Sequence, residues 1–456
     1  MNNMTSGSPL KILITFSLPM LLSMVFQQLY SVIDSIIAGN FIGVDGLAAT
    51  GASYPITTLF IAVATGASVG SSVVISQFFG AKLMERVKSA IYTAIITLFV
   101  LALVLTGIGL LSCNFLLSVI GTPENIFADS SSYLRIYVCG LVFLFLYNAA
   151  TSIYNGLGDS RMPLCFLVFS SVLNVILDIL FVSTFSMGVA GLAWATFLAQ
   201  GISALLSIGT LIVRIRKISV NGRVLLWNRG LLVNMMYIAI PSICQQSFVS
   251  IGVFLVQGVV NSFGSDTVAA FSAALKISTF ALMVMNTMPN ALSNFASQNI
   301  GAHELERVRQ GLRISIVIAM IVIAGVNLLF LCAASQILGL FIPNGGSRTV
   351  IHIGVQFLHT IAPFYFLVGI KNCCDSVLRG GGAMKPFMAT TFSDLIIRIA
   401  FSFLFAGALG FTSICWAYPV GWIFGTMLSI HYYRTGVWKT HIPEPHAMKS
   451  LVHKNA

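Results

Sequence analysis

Apolar runs of about twenty residues or more alternate with short polar turns along nearly the whole chain. Crossing a hydrocarbon core of ~30 Å takes about twenty helical residues. Twelve stretches meet that length, near 11–38, 47–78, 90–111, 133–155, 163–183, 188–213, 231–262, 268–299, 312–335, 351–378, 386–407 and 411–433. Several are longer than the core is thick, so tilt or bending is expected. The pattern predicts an all-α polytopic membrane protein. Composition agrees: 57% of residues are hydrophobic and 8% charged. Soluble domains carry about 25% charged residues, so a water-soluble fold of this length is excluded.

The polar and special residues repeat. Ile75-Ser-Gln-Phe-Phe-Gly-Ala-Lys-Leu-Met-Glu-Arg-Val87 returns as Ala296-Ser-Gln-Asn-Ile-Gly-Ala-His-Glu-Leu-Glu-Arg-Val308, an offset of 221 residues with seven identities. Gly43 and Asp45 match Gly264 and Asp266, Pro19 matches Pro241, Asn148 matches Asn372, Pro163 matches Pro386 and Trp194 matches Trp416. Hydrophobic segments alike by chance do not keep register across Gln, Arg, Pro and Trp. Two pseudo-symmetric six-helix lobes are therefore expected, residues 1–213 and 231–433, with a basic linker at 214–230 and a tail at 434–456. An even number of spans per lobe makes the halves parallel, a layout found in alternating-access carriers.

Charge changes the picture in two ways. The net charge is +11, which could suggest nucleic acid. If both termini are cytoplasmic, however, nineteen of the 24 Lys and Arg fall on the inner side, which is the positive-inside bias of membrane topology. The basic balance then belongs to orientation, and no nucleic-acid partner is expected. The eight Cys form no CxxC pair, so neither a disulfide framework nor a zinc site is indicated.

Second, acids lie inside the spans. Asp34 sits in the apolar run from Ile12 to Ala38, and Asp178 in the run from Leu164 to Val182. Intramembrane acids are costly and mark ion or substrate pathways. Neither has an intramembrane cation nearby in sequence, whereas the second half holds Lys276 and two i,i+4 pairs, Lys371 with Asp375 and Asp394 with Arg398, which can neutralise one another and read as structural or gating elements. Without a compensating charge, Asp34 or Asp178 can serve as a proton carrier, or as a sodium site if oxygen ligands are near. Asn174 lies one turn before Asp178 on the same face. Thr196 follows Leu192, whose carbonyl could also turn inward, by one turn. Gln27, Tyr30 and Asp34 share a stripe and could line a substrate cavity. Each of these polar groups could instead be interhelical glue. Pro19 removes a backbone hydrogen bond early in the first span and makes a hinge there; Pro241 could equally be a static kink.

These motifs resemble the multidrug and toxic compound extrusion (MATE) family over essentially the whole chain: Phe16-Ser-Leu-Pro19, Gln28-Leu-Tyr30 through Asp34, Gly80-Ala, Gly158-Asp-Ser-Arg-Met-Pro163, Asn174-x-x-x-Asp178 and Gly188-Val-Ala-Gly-Leu-Ala-Trp-Ala-Thr196. The pairing of a span-one Asp with the Asn and Asp of span five looks like the DinF-type branch. The resemblance implies an efflux antiporter for cationic amphiphilic small molecules, driven by protons or sodium. It also implies an ion-coupling cluster at Asp34, Asn174, Asp178 and Thr196. The family often has a basic residue three before the Gly of Gly-Asp-Ser; this chain has Asn155 there and keeps Arg379 in its second half.

The expectation is a multi-pass protein of a bacterial inner membrane, acting as a monomer, with no cofactor beyond its coupling ion. A flippase for lipid-linked precursors of the same superfamily is the alternative; it would call for unpaired Arg or Lys, whereas the clearest unpaired charges here are acidic. No HExxH, GxSxG or Ser/His dyad nominates an enzyme. The loop between spans two and three lacks the Gly-x-x-x-Asp-x-x-Gly-Arg pattern of major-facilitator carriers.

Overall fold

The computed structural model describes residues 2–220, 222–341 and 348–439; most of the expected tail, 440–456, lies outside the described residues. The apolar runs fold as α1 (Pro9–Ile37), α2 (Val44–Gly80), α3 (Met84–Val119), α4 (Glu124–Cys139), α5 (Leu141–Gly156), α6 (Arg161–Ile179) and α7 (Gly188–Arg216), then α8 (Arg229–Asn261), α9 (Ser265–Gly301), α10 (Leu305–Phe341), α11 (Arg348–Ile361), α12 (Tyr365–Gly380), α13 (Met384–Leu409) and α14 (Phe411–Thr435). No strand occurs among the described residues. Helix satisfies every backbone polar group within its own segment, which is what lipid demands. Eleven continuous helical stretches, α11 with α12 counted as one, can each cross a membrane, and α4 with α5 make a twelfth as a pair bent by 45°.

The expected fourth span, near 133–155, starts nine residues early and is broken by this bend. It falls at Gly140, where a Cβ would lie 3.1 Å from the Tyr137 carbonyl oxygen and 3.4 Å from the Phe197 ring. The missing side chain lets the chain break its helix while staying packed on α7. Most helices also outrun the apolar runs, because hydropathy marks only the part that meets hydrocarbon. The polar ends go on bonding as helix.

The repeat is visible in the backbone. Gly43 and Gly264 precede α2 and α9 with φ of 95° and 94°. Lys82 and His303 follow the same helices with φ of 58° and 62°, two of the three positive-φ non-glycine residues among the described residues. L-residues seldom adopt that region, so its return 221 positions later reflects one turn design used twice. Gly158 with Gly382, and Gly188 with Gly410, repeat it again.

The chain divides into two compact units, one taking Leu18–Ile243 with the first few residues, the other Met4–Ser17 with the chain from Cys244 on. The divisions fall inside α1 and α8, next to Pro19 and Pro241. In the first unit the core gathers Leu98, Ala102, Leu117, Leu134, Val138 and Phe145 between α2, α3, α4 and α5. Asp159 caps α6 there: its Oδ1 accepts from the Arg161 and Met162 amides, while its Oδ2 pairs with Arg214, whose guanidinium stacks on Tyr154. That is the physical content of the Gly-Asp-Ser motif.

In the second unit the repeated Ser-Gln…Glu-Arg motif clamps the segment before α1. The Met4 amide donates to Gln298 Oε1 at 3.0 Å, and the Met4 carbonyl accepts from Asn299 Nδ2 at 3.3 Å and Arg307 at 3.2 Å. Arg307 also donates to the Gly7 carbonyl at 3.0 Å and to Asn299 Oδ1 at 3.0 Å. Met4 is 1% exposed. The start of α1 is thus held by the second unit through its backbone, which explains why its first turns belong there. Arg307→Ala should loosen this segment: hydrogen exchange at the Met4 amide should quicken several-fold, in line with the ~0.5–1.5 kcal/mol of an ordinary bond, since the Met4 carbonyl keeps Asn299. Unchanged exchange would exclude Arg307 from the clamp.

Candidate functional site

Two acids from separate helices meet in the first unit. Asp34 is near the end of α1 and Asp178 near the end of α6, and their carboxyl groups lie within hydrogen-bond reach of each other. Asp178 is fully buried and Asp34 half-buried. One oxygen of each, Asp34 Oδ1 and Asp178 Oδ1, is buried with no hydrogen-bond donor. Such orphans are rare in folded proteins, and each calls for an explanation. Two carboxylate oxygens facing one another without a donor repel unless a proton or another cation comes between them.

The surroundings are partly polar. With its amide nitrogen turned to the acid, Asn174 donates to Asp178 Oδ2 at 2.8 Å and its oxygen accepts from the Thr196 amide at 3.1 Å. The Thr196 hydroxyl lies 3.3 Å from the Tyr30 hydroxyl. Thus Asp34, Asn174, Asp178, Thr196 and Tyr30 come together from α1, α6 and α7. The Leu192 side chain joins Ile37, Ala38 and Val182 in an apolar cluster at the edge of this group. Gln27 is exposed and takes no part in the cluster.

Local backbone form contributes. Both acid-bearing helices widen into a π turn just past the acid, α1 at Ala38–Ile42 and α6 at Leu180–Thr184. Single π turns inside helices often accompany functional sites. Here Ile37 and Ala38 from one end pack with Val182 from the other, closing the site with apolar side chains. The sequence offered no sign of these turns. It also gave no hint of Tyr133 on α4, which packs on that cluster beside both acids; Tyr133 lies in a weakly apolar helix and shares no motif with the acids.

The second unit arranges its charges differently. Lys371 Nζ is 2.9 Å from Asp375 Oδ2, and Asp375 Oδ1 accepts from Thr390 at 3.0 Å and Ser429 at 2.6 Å. Arg398 is 2.8 Å from Asp394 Oδ1 and its guanidinium stacks on Tyr418 at 4.6 Å. All four charged groups converge where α12 and α13 meet α14. Gly421 and Gly425 make room: a Cβ on Gly421 would collide with Asp394, and one on Gly425 would lie 2.8 Å from Lys371 Cε. Every acid there has a cation. Lys276 is not in this group; it stands exposed on α9 without an ion-pair partner among the described residues.

A bundle of membrane-crossing helices with an unpaired acid cluster at the end of two of them defines a multi-pass membrane carrier, and comparison with known proteins gives it a family. The MatE family model matches residues 19–180 and 241–404, one match in each half, and the chain belongs to that family, whose members are transporters rather than enzymes. Among curated proteins it is similar to two probable multidrug resistance proteins of Bacillus subtilis (strain 168): YoeA, 30% identical over 93% of both chains, and YpnP, 29% identical over 95% of this chain and 97% of that one. Among solved structures, an outward-facing multidrug resistance MATE family transporter of the MOP superfamily superposes with a TM-score of 0.87 at 24% identity, covering 95% of this chain and 97% of that one.

The acid contact makes a stability prediction. Asp178→Asn puts a donor between two acceptors, so it should raise the thermal midpoint of the purified protein by the equivalent of ~1 kcal/mol. Thermal melts of the two proteins read the effect, and a variant less stable than wild type would contradict the acid–acid contact.

Proposed function

We propose that the protein exports cationic amphiphilic small molecules in exchange for protons, with the Asp34–Asp178 pair as the place that proton and cargo occupy in turn. The observation that carries this reading is the two buried acid oxygens without a donor. A proton between them relieves the repulsion, and so does an organic cation; mutual exclusion of the two is what makes exchange obligatory rather than leaky.

A shared proton needs the two carboxyls alone, which makes it the simplest occupant of the pair; Thr196, Tyr30 and Asn174 carry the further oxygens that a sodium ion would gather.

In this reading residues 1–213 and 231–433 are the two lobes and 214–230 the cytoplasmic linker. The excess of Lys and Arg on one side supports an orientation with both termini in the cytoplasm of a bacterial cell and the chain in its inner membrane. Pro19, inside α1, is the hinge through which loading of Asp34 reshapes that helix, and the protein acts as a monomer. Lys371, Asp375, Asp394 and Arg398 hold α12, α13 and α14 together during the cycle.

Asp34→Asn should abolish export of ethidium from cells that carry the protein at wild-type levels in the membrane. Efflux like that of wild type would refute the role given to the acid. In proteoliposomes, an inwardly directed proton gradient should drive ethidium out without sodium; transport that follows a sodium gradient and ignores the proton gradient would exclude proton coupling.

A further inference from the structure

One face of α9 carries an unexplained polar stripe. Ser272, Lys276, Thr279, Asn286 and Asn290, interrupted by Met283, follow one another at helical intervals of four and three, so they line a single side of the helix. Lys276 and Thr279 are exposed and the other four half-buried, while Ala274, Ile277, Ser278, Ala281 and Met285 on the opposite side are buried. α9 packs on α10, α11 and α12, and the lower end of the stripe meets α12. A polar stripe of five turns inside a membrane-crossing helix belongs to water rather than to lipid.

The stripe is positive. Asn286 accepts from Asn372 at 2.6 Å, and Asn290 accepts from Arg379 at 3.1 Å. Arg379 gives its other bond to Ser293 at 3.3 Å, again a neutral acceptor. Asp375 and Asp394 are taken by Lys371 and Arg398. The single acid of α9, Asp266, is ten residues from Lys276, or ~15 Å along the axis. Two cations on this side therefore have no acid partner. In the register of the repeat, 221 residues earlier, the stripe corresponds to Gly51, Pro55, Thr58, Ala62, Thr65 and Val69, which carry no charge. The cationic face belongs to the second unit alone.

We propose that this face of α9 binds the anionic group, a carboxylate or phosphate, of a zwitterionic or anionic amphiphile, with Lys276 as the contact residue. The proposal rests on the transporter reading and extends it: cargo is selected for a negative group as well as for a cationic one. Lys276 suits the part because an ammonium on a flexible stem meets an anion as a point charge, and it is exposed with no competing partner.

The test uses rhodamine B, a zwitterion with a free carboxylate, and its ethyl ester, a cation on the same ring system. Binding to the purified full chain is read by fluorescence polarisation. Wild type should bind rhodamine B about tenfold more tightly than the ester, the effect expected of one charge-assisted contact. Lys276→Gln should lose that preference while keeping its affinity for the ester, and Lys276→Arg should retain the preference. Lys276 is exposed and bonds nothing, so neither variant should disturb folding. Equal binding of the two dyes by wild type, or a preference that survives in Lys276→Gln, overturns the proposal and leaves the transporter reading intact. Binding of neither dye overturns both.

Discussion

Two carboxyl groups held against each other in apolar surroundings cannot both remain bare anions, and the first unit is organised around that constraint. Asp34 and Asp178 reach one another because α1 and α6 each end in a π turn just past the acid, and because Ile37, Ala38, Val182 and Leu192 close over the site. Asn174 and Thr196 hold the pair from the side, using the amide of one and the backbone of the other. A site built this way is strained when empty and relieved by a proton or a cation. Carriers need that property, since loading must change the relative energy of conformations. Stability and function oppose one another here, as is common where binding requires an unsatisfied group.

The second unit meets the same problem with the opposite answer. Its buried acids are each provided with a covalently attached cation, one helical turn away, and hydroxyls from Thr390 and Ser429 complete the shell of Asp375. Glycines at 421 and 425 let the paired side chains lie against the α14 backbone. Nothing there awaits an ion. Buried pairs of this kind contribute little net stability once desolvation is counted, but removing one partner is costly. The two halves of one repeated design thus answer a buried acid differently, with an acid pair that has no cation in one and with ion pairs in the other.

Much of this was legible in the chain. Segment lengths and hydropathy were enough for the helices, because lipid leaves no alternative to internal hydrogen bonding. The repeat was legible because turn residues such as Gly43 and Gly264 answer to local backbone demands that recur with the turn. Asp34, Asn174, Asp178 and Thr196 were legible as candidates because an intramembrane polar group is expensive wherever it lies. The i,i+4 pairs of the second half needed nothing beyond helical spacing.

Tertiary structure alone decided the rest. That the two acids touch, that Asn174 and Thr196 stand beside them, and that Tyr133 packs against the same cluster depend on how α1, α4, α6 and α7 cross. No local pattern encodes such a crossing. The break at Gly140, the π turns and the clamp on Met4 arise from contacts between residues up to 303 positions apart. The sequence by itself determined which segments enter the membrane and which side chains would be costly there, since both follow from local chemistry; which of those costly groups meet, and which are left unanswered, was settled only by packing.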